Sequence, residues 1–309
     1  MPHQNIHPGL IRSLVELARE ISEGQYGHAD VLFDFTREDS HPPEIVELAE
    51  SFGMMMVQVE AREYRLQQMI EELAAKNREL ERTLAKVQIL ESIKNQLGKF
   101  VPCSVKSLIE SNPTCPDLEK RDEDVTVLFL DIAGYSRLSE EIEQSRVNYL
   151  IETYFSNFLD IILQNRGDIN ETAGDGLMII FRQPDPVAHA VNAARSALAI
   201  EEKTRLLNEA HRDLFTPVTV NIGINSGLCS VGSTRFQGRA GARWTYTASG
   251  PVTNIAARIS AIAKGGAILV GEETCSRIQD QFAFSAMSRH QVKNIQDPVQ
   301  VCRLLSPKS

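Results

Sequence analysis

The sequence lacks several features that would assign it to common protein classes. No apolar run approaches the roughly 20 residues that a membrane-spanning helix needs. Its five cysteines are scattered, with no Cys-x-x-Cys pair, which is typical of a reducing compartment and argues against a disulfide framework or a zinc site. Basic residues are outnumbered: 32 Lys and Arg face 41 Asp and Glu, giving a net charge of −9. Because general nucleic-acid binding needs a basic surface, the sequence predicts no nucleic-acid partner. The scattered cysteines and the lack of a long apolar run predict a cytoplasmic protein.

The composition is that of a folded protein. Apolar residues make up 42% of the chain and charged residues 24%, well away from the disordered class. A length of 309 residues allows about two domains.

The first third of the sequence has the apolar spacing of helices. Leu10, Leu14, Leu17 and Ile21 recur at four-three-four spacing, which predicts a short amphipathic helix ended by glycines 24 and 27. No helical period follows until Pro42-Pro43, where a second helix restarts with an acidic first turn.

The second helix continues as a heptad pattern. One core position is filled throughout by apolar residues, and the other alternates apolar with polar residues. The first carries Val59, Leu66, Leu73, Leu80 and Val87, and the second carries Met56, Glu63, Ile70, Asn77 and Leu84. A single buried asparagine favours a two-stranded, in-register coil. We therefore predict a parallel coiled coil over 57–100, the alternative being one long solvated helix packed on its own globular domain.

Residues 1–56 resemble the HAMP signal-relay module, with 18–24 and 43–49 as the matching stretches. The resemblance implies a parallel four-helix dimer that passes conformational change onward from an upstream sensor. HAMP modules usually follow a transmembrane helix, and none precedes this one. We therefore expect either an input from another soluble protein or domain, or a sequence that is a fragment.

After a connector at 101–122, strand and helix patterns alternate. Strands are predicted at 125–130, 168–171, 177–181, 219–225, 228–231, 267–270 and 299–305, and helices at 144–165, 187–210 and 254–263. This order predicts an α+β domain over 123–306, with helices packed on a mixed sheet. The segment 235–243 is rich in arginine and glycine, which favours a mobile loop.

Two aspartates follow or precede the predicted strands. Asp131 ends the strand 125–130, and Asp175 lies in a Gly-Asp-Gly turn before the strand 177–181. Two carboxylates at neighbouring strand ends are the minimum set for holding a divalent cation against a triphosphate.

Five ordered stretches resemble the catalytic domain of the class III nucleotidyl cyclases. They are Leu128–Ser136, Glu171–Asp175, Asn221–Gly227, Val231–Ser233 and Tyr246–Arg258. The resemblance implies a ferredoxin-like cyclase fold that converts a nucleoside triphosphate to a 3′,5′-cyclic nucleotide and pyrophosphate. It also implies a head-to-tail homodimer with the arm 235–243 at the interface.

The resemblance assigns roles to residues at the matching positions. Two Mg²⁺ or Mn²⁺ ions are expected in each active site, held by one protomer, with Asn254 and Arg258 supplied by the other. Asn254 would orient the ribose, and Arg258 would stabilise charge on the five-coordinate phosphorus. Metal binding is assigned to Asp131, Ile132 and Asp175, and triphosphate binding to Ala133, Gly134, Tyr135 and, on a looser match, Lys293.

Two positions bear on the choice of base. Glu171 is the residue that guanylate cyclases use four positions before the second aspartate, whereas Thr247 belongs to one adenylate subgroup. A glutamate accepts from N1–H and the 2-amino group of guanine but faces the lone pair of adenine N1. The sequence therefore favours GTP and leaves ATP or a pyrimidine nucleotide open. A catalytically inactive nucleotide sensor and a signalling scaffold are the alternatives from other functional classes.

Overall fold

The computed structural model describes residues 8–25, 42–214, 216–239 and 241–308. The chain divides into two compact units, Met1–Ile93 and Lys94–Ser309. Within the described ranges, no helix is both long and apolar enough to cross a membrane.

Two helices account for the described part of the first unit. Helix α1 spans Pro8–Ser22, and α2 runs without interruption over Pro43–Leu97. A small core joins them, made of Leu14, Leu17, Ala49 and Met56 with Ile45 and Phe52 packed against it. Both helical predictions are confirmed. The stretch without helical period between the two helices lies mostly at 26–41, outside the described residues. The HAMP-like module and the parallel coil stay predictions.

The heptad seam of α2 is exposed in the single chain. Leu66 is 54% exposed, Leu73 64% and Leu80 56%, although these residues are apolar and recur every seven positions. Apolar side chains that recur every seven positions are most stable when buried against another helix, which favours the coil.

In its described residues, the second unit contains the end of α2, a 3-10 turn at Gly98–Phe100, six further α-helices and nine strands. The helices are α3 (Cys103–Ser111), α4 (Tyr135–Glu141), α5 (Gln144–Gln164), α6 (Pro186–Ala210), α7 (Pro251–Ile262) and α8 (Glu272–Ile278). The strands are β1 (Arg121–Ile132), β2 (Gly167–Ala173), β3 (Gly176–Phe181), β4 (Val220–Gly238), β5 (Gly241–Ser249), β6 (Ile268–Gly271), β7 (Phe282–Phe284), β8 (Ser288–His290) and β9 (Val299–Pro307).

The strands form one mixed sheet in the order β2-β3-β1-β4-β6-β9-β7, with β5 pairing β4 and β8 pairing β9. In the described sheet β4 and β6 run parallel and the other pairs are antiparallel. The predicted α+β class, with helices on a mixed sheet, is confirmed.

Alternation along β1 divides the core into two layers. Leu128, Leu130 and Ile132 face a large cluster that includes buried residues of α5 and α6. Val125 and Val127 face the opposite side, in a smaller cluster with residues of α7. Asp131 has the same parity as the two valines, so β1 directs it toward α7.

Three features differ from the sequence prediction. The connector predicted at 101–122 contains the helix α3. Strand β1, predicted to begin at 125, begins at Arg121, because its first residues pair with β4 near Val231. Strands predicted separately at 219–225 and 228–231 form the single long strand β4. The segment 235–243 belongs to a two-stranded hairpin, with pairing that continues to Gly238 and Gly241. Its predicted role as a dimer arm stays a prediction.

Candidate active site

The sheet brings the two aspartates together. Asp131, near the end of β1, pairs in register with Gly176, which directly follows Asp175. The backbone N–H of Ile132 donates to the carbonyl oxygen of Asp175 at 3.1 Å, which fixes the β2–β3 turn against β1.

Asp131 lies in a partly buried polar environment. Burial raises the pKa of its carboxyl group, hydrogen bonds from Ser260 and Asn221 lower it, and the charge of Asp175 raises it again. The Ser260 hydroxyl donates to Oδ1 at 2.8 Å. Helix α7 can bring Ser260 this close because it crosses β4 at Gly223, where an added Cβ would lie 2.2 Å from the Ser260 backbone nitrogen.

The aspartate pair suits a divalent cation in part. Carboxylate oxygens are the hard ligands that Mg²⁺ and Mn²⁺ prefer, and two like charges held close together favour a cation between them. In the described ranges, no group of three or more His, Cys, Asp or Glu residues could hold a metal ion. A cation here would therefore need oxygen ligands from another source, such as the backbone or a phosphate.

The turn after Asp131 differs from the prediction in one respect. Triphosphate binding was expected of Ala133, Gly134 and Tyr135, but Ala133 donates its N–H to the carbonyl oxygen of Thr219 at 2.9 Å. Ile132 is likewise engaged, as described above, so those two amides are committed to the fold. Gly134, in the left-handed region at φ 78°, leads into α4, which begins at Tyr135.

A second group of predicted residues lines one cavity. Asn254 and Arg258, four residues apart on α7, lie there beside Lys293 from the segment between β8 and β9. The cavity has a volume of about 430 Å³ and is completed by Pro251, Ile255, Asn294 and Ile295. The structure thus brings Lys293, whose match to the cyclase motif is loose, next to Asn254 and Arg258, whose match is close.

The two predicted base-selecting residues also meet. The Thr247 hydroxyl on β5 donates to Oε1 of Glu171 on β2 at 2.8 Å. Glu171 is exposed and Thr247 is partly buried, so the second carboxylate oxygen remains accessible for a ligand.

Comparison with known proteins identifies the family of this domain. A sequence profile described as the adenylate and guanylate cyclase catalytic domain matches residues 118–304, more than half of the chain. The chain belongs to this family. Membership confirms the predicted family, that of the adenylate and guanylate cyclase catalytic domains.

Individual cyclases match over the same part of the chain. Adenylate cyclase 1 of Rhizobium meliloti (strain 1021) is 29% identical over 175 residues, which are 55% of this chain and 26% of that protein. This chain therefore spans about a quarter of that relative's length.

Solved structures agree with the fold. The adenylyl cyclase CyaB from P. aeruginosa is 30% identical, with a TM-score of 0.57 over 62% of this chain and 98% of that one. The guanylyl cyclase Cya2 gives the same TM-score of 0.57 at 24% identity, over 62% of this chain and 95% of that one. At that identity the second likeness concerns the fold alone.

In this cyclase domain the aspartates and the cavity lie on different faces of α7. Ser260, which contacts Asp131, follows Arg258 by two residues, so the two side chains point about 160° apart around the helix axis. Asn254 precedes Ser260 by six residues, so these two side chains point about 120° apart. Within one chain, α7 therefore separates the two groups of predicted site residues.

Several polar residues of this region were missed by sequence reasoning. Ser260 and Asn221 contact Asp131, and Asn170 contacts the strand that carries Thr247. Asn221 opposes Asp131 in the register of β1 and β4, which no local pattern reveals. Only its position next to Glu171 in the sequence could have drawn attention to Asn170.

Proposed function

We propose that this chain converts a nucleoside triphosphate, preferably GTP, to a 3′,5′-cyclic nucleotide and pyrophosphate in a head-to-tail homodimer. The observation that supports the shared site most directly is the separation across α7. Asp131 and Asp175 lie on the side of Ser260, whereas Asn254 and Arg258 line a cavity on another face. A two-fold dimer would place one group opposite the other and would create two complete sites.

The reaction forms one phosphorus–oxygen bond and breaks another. The ribose 3′-oxygen bonds to the α-phosphorus, its proton is released, and pyrophosphate leaves with the bridging oxygen. In this proposal Asp131, Asp175 and the carbonyl of Ile132 would hold two Mg²⁺ or Mn²⁺ ions. When bound, such ions lower the pKa of the hydroxyl and neutralise triphosphate charge.

The cavity side chains supply orientation and positive charge. Asn254 would hold the ribose so that its 3′-oxygen faces the phosphorus, which converts a bimolecular step into an oriented one. Arg258 would stabilise charge on the five-coordinate phosphorus, and Lys293 would bind the triphosphate. Gly134 and Tyr135, at the start of α4, are the remaining candidates for phosphate contacts in the other protomer.

The preference for GTP rests on Glu171. Its Oε1 accepts from Thr247, which leaves Oε2 to accept from N1–H and the 2-amino group of guanine. Adenine would instead place a lone pair against the carboxylate. An unmatched polar contact of this kind costs about 1–3 kcal/mol, or roughly tenfold to a hundredfold in preference.

ATP is the second candidate substrate, and a specific observation favours it. The Rhizobium relative and CyaB are both named adenylate or adenylyl cyclases. The Thr247 hydroxyl donates its proton to Glu171, and its lone pairs remain free to accept from the adenine amino group.

The stalk has a proposed role as an input element. A HAMP-like module over 1–56 and a parallel coil over 57–100 would pass a signal from an upstream sensor to the catalytic domain at 123–306. The exposed heptad seam of α2 supports the coil.

A turnover assay tests the proposed reaction. Purified protein is incubated with each of the four nucleoside triphosphates, with Mg²⁺ or Mn²⁺, and the cyclic products are quantified. We expect cGMP to form fastest. The absence of any cyclic product would reject the activity, and faster formation of cAMP would reject the GTP preference.

A substitution at Glu171 tests base selection. Glu171→Gln should lower the ratio of kcat/KM for GTP over ATP about tenfold, because a neutral amide is a weaker acceptor for N1–H. Glu152→Gln, an exposed position on α5, is the matched control and should leave the ratio unchanged.

A further inference from the structure

The strand that carries Glu171 contains a β-bulge. Ile169 pairs with Ile179 and Glu171 pairs with Met178, so Asn170 is an extra residue in β2. A bulge reverses the facing of the residues that follow it. Ile169 packs on the α5–α6 cluster, whereas Glu171 opposes Met178, which belongs to the α7 cluster. The bulge therefore turns Glu171 to the face of the sheet that Asp131 shares.

Asn170 also ties two strands that are not neighbours in the sheet. Strand β2 pairs with β3, and β5 pairs with β4. The Asn170 side chain crosses from one to the other, because its Nδ2 donates to the carbonyl oxygen of Tyr246 at 2.9 Å. This hydrogen bond lies one residue before Glu171 on β2 and one residue before Thr247 on β5.

Tyr246, the residue on β5 that accepts this hydrogen bond, is itself held in place. Arg182 on the chain just after β3 donates to the Tyr246 hydroxyl at 2.8 Å and makes two hydrogen bonds to the carboxylate of Glu123, at 2.9 and 2.7 Å. Tyr246 is therefore held at both its backbone and its ring. The Asn170 amide therefore links β2 to a residue of β5 that Arg182 also holds in place.

We propose that Asn170 is a specificity-positioning residue for the nucleotide base. It holds Glu171 against Thr247, with the free carboxylate oxygen in one orientation, without contacting the base. The inference rests on the proposed base-recognition role of Glu171 and adds the residue that orients it. A carboxylate that rotates freely would meet either purine by turning or by recruiting water, so loss of the Asn170 contact should weaken discrimination more than turnover.

Two variants of the full chain test this inference. Asn170→Ala removes the side chain, and Asn170→Asp keeps its size but replaces the donor with a second acceptor facing the Tyr246 carbonyl. The control is Asn157→Ala on α5, which removes a similar Nδ2 hydrogen bond, to the carbonyl oxygen of Thr153 at 2.8 Å. For each protein, kcat/KM is measured with GTP and ATP, and thermal unfolding is recorded.

We expect both Asn170 variants to lower the GTP-to-ATP ratio about fivefold, the effect of one neutral hydrogen bond, while the control keeps the wild-type ratio. If both variants fold and keep the ratio within twofold while Glu171→Gln shifts it, this inference is overturned and the base role of Glu171 stands. If Glu171→Gln is silent too, both proposals are overturned. A drop in turnover with equal loss for GTP and ATP would reduce Asn170 to a structural role.

Discussion

A shared active site makes a sharp prediction about mixed dimers. Asp175→Ala should remove the cation-holding half of a site, and Arg258→Ala should remove the charge-stabilising half. Each homodimer then contains two defective sites. Loss of a positioned electrostatic group typically lowers kcat about 100- to 1,000-fold, so each variant alone should show almost no turnover. A heterodimer of the two places the intact Asp175 of one chain opposite the intact Arg258 of the other.

The expected recovery follows from counting sites. With random pairing of equal amounts, about half of the dimers are heterodimers, and each holds one intact site of two. The mixture should therefore regain about one quarter of wild-type activity per chain. The structural reason is that Ser260, which holds Asp131, and Arg258 lie on different faces of α7.

The assay uses co-expression with two affinity tags and purification of the doubly tagged dimer, whose activity should be about half that of the wild type. The matched control pairs Asp131→Ala with Asp175→Ala. Both changes lie in the same half-site, so every site of that heterodimer keeps one defect and activity should stay low. Recovery in neither pair, with subunit mixing confirmed, would show that each chain catalyses alone. Equal recovery in both pairs would also refute the geometry.

Three further predictions concern the stalk, the connector and the core. Inserting one residue after Leu84 rotates the downstream part of α2 by about 100°, whereas inserting seven nearly preserves the heptad phase. If the stalk sets catalytic orientation, the first insertion should change specific activity several-fold and the second should not; equal activities would make the stalk a passive tether. Asp168 on β2 accepts from the backbone N–H groups of Cys103 and Ser104, at 2.9 and 3.1 Å, and so caps α3. Asp168→Ala should lower the free energy of unfolding by about 1 kcal/mol, measured by denaturant titration, and an unchanged midpoint would show that the cap contributes little. His189 has no exposed surface, and burial is the main cause that lowers its pKa from 6.5, with Asp124 raising it. Because the unfolded chain then binds the proton more readily, stability should fall as pH drops through 6.5, by at most about 1.4 kcal/mol per pH unit, and His189→Gln should flatten the dependence of melting temperature on pH.

The fold was predictable where periodicity extends over many residues. The long helices α2, α5 and α6 and the buried strand β1 follow their apolar patterns closely. The elements α3, α4, α8, β5, β7 and β8 were not predicted, because three to nine residues usually carry too little pattern to distinguish a helix or strand from a loop. The four-residue β6 was predicted from its apolar run. The length of β4 depends on its pairing with β5, which is tertiary information.

The candidate site was predictable where residues lie within a motif. The approach of Asp131 and Asp175 follows from the hairpin, and Asn254 and Arg258 share a face because they are four residues apart on one helix. Lys293 reaches their cavity from a segment with no regular structure, so only the fold places it there. The engaged amide of Ala133 and the bulge at Asn170 depend on neighbouring strands, and neither has a local sequence signal.

Each unit of the chain gives its own physical reason for a second copy. In the first, Leu73 and the other seam residues of α2 remain largely exposed, although apolar side chains at heptad spacing are most stable when buried against another helix. In the second, Ser260 holds Asp131 on one face of α7 while Arg258 lines a cavity on another, so in the proposed dimer each chain would supply half of each site. A two-fold pair would satisfy both requirements, and it would make catalysis depend on how the partners approach. That dependence is what a parallel coil upstream could regulate, because a rotation of the paired helices would change the distance between half-sites without altering either one.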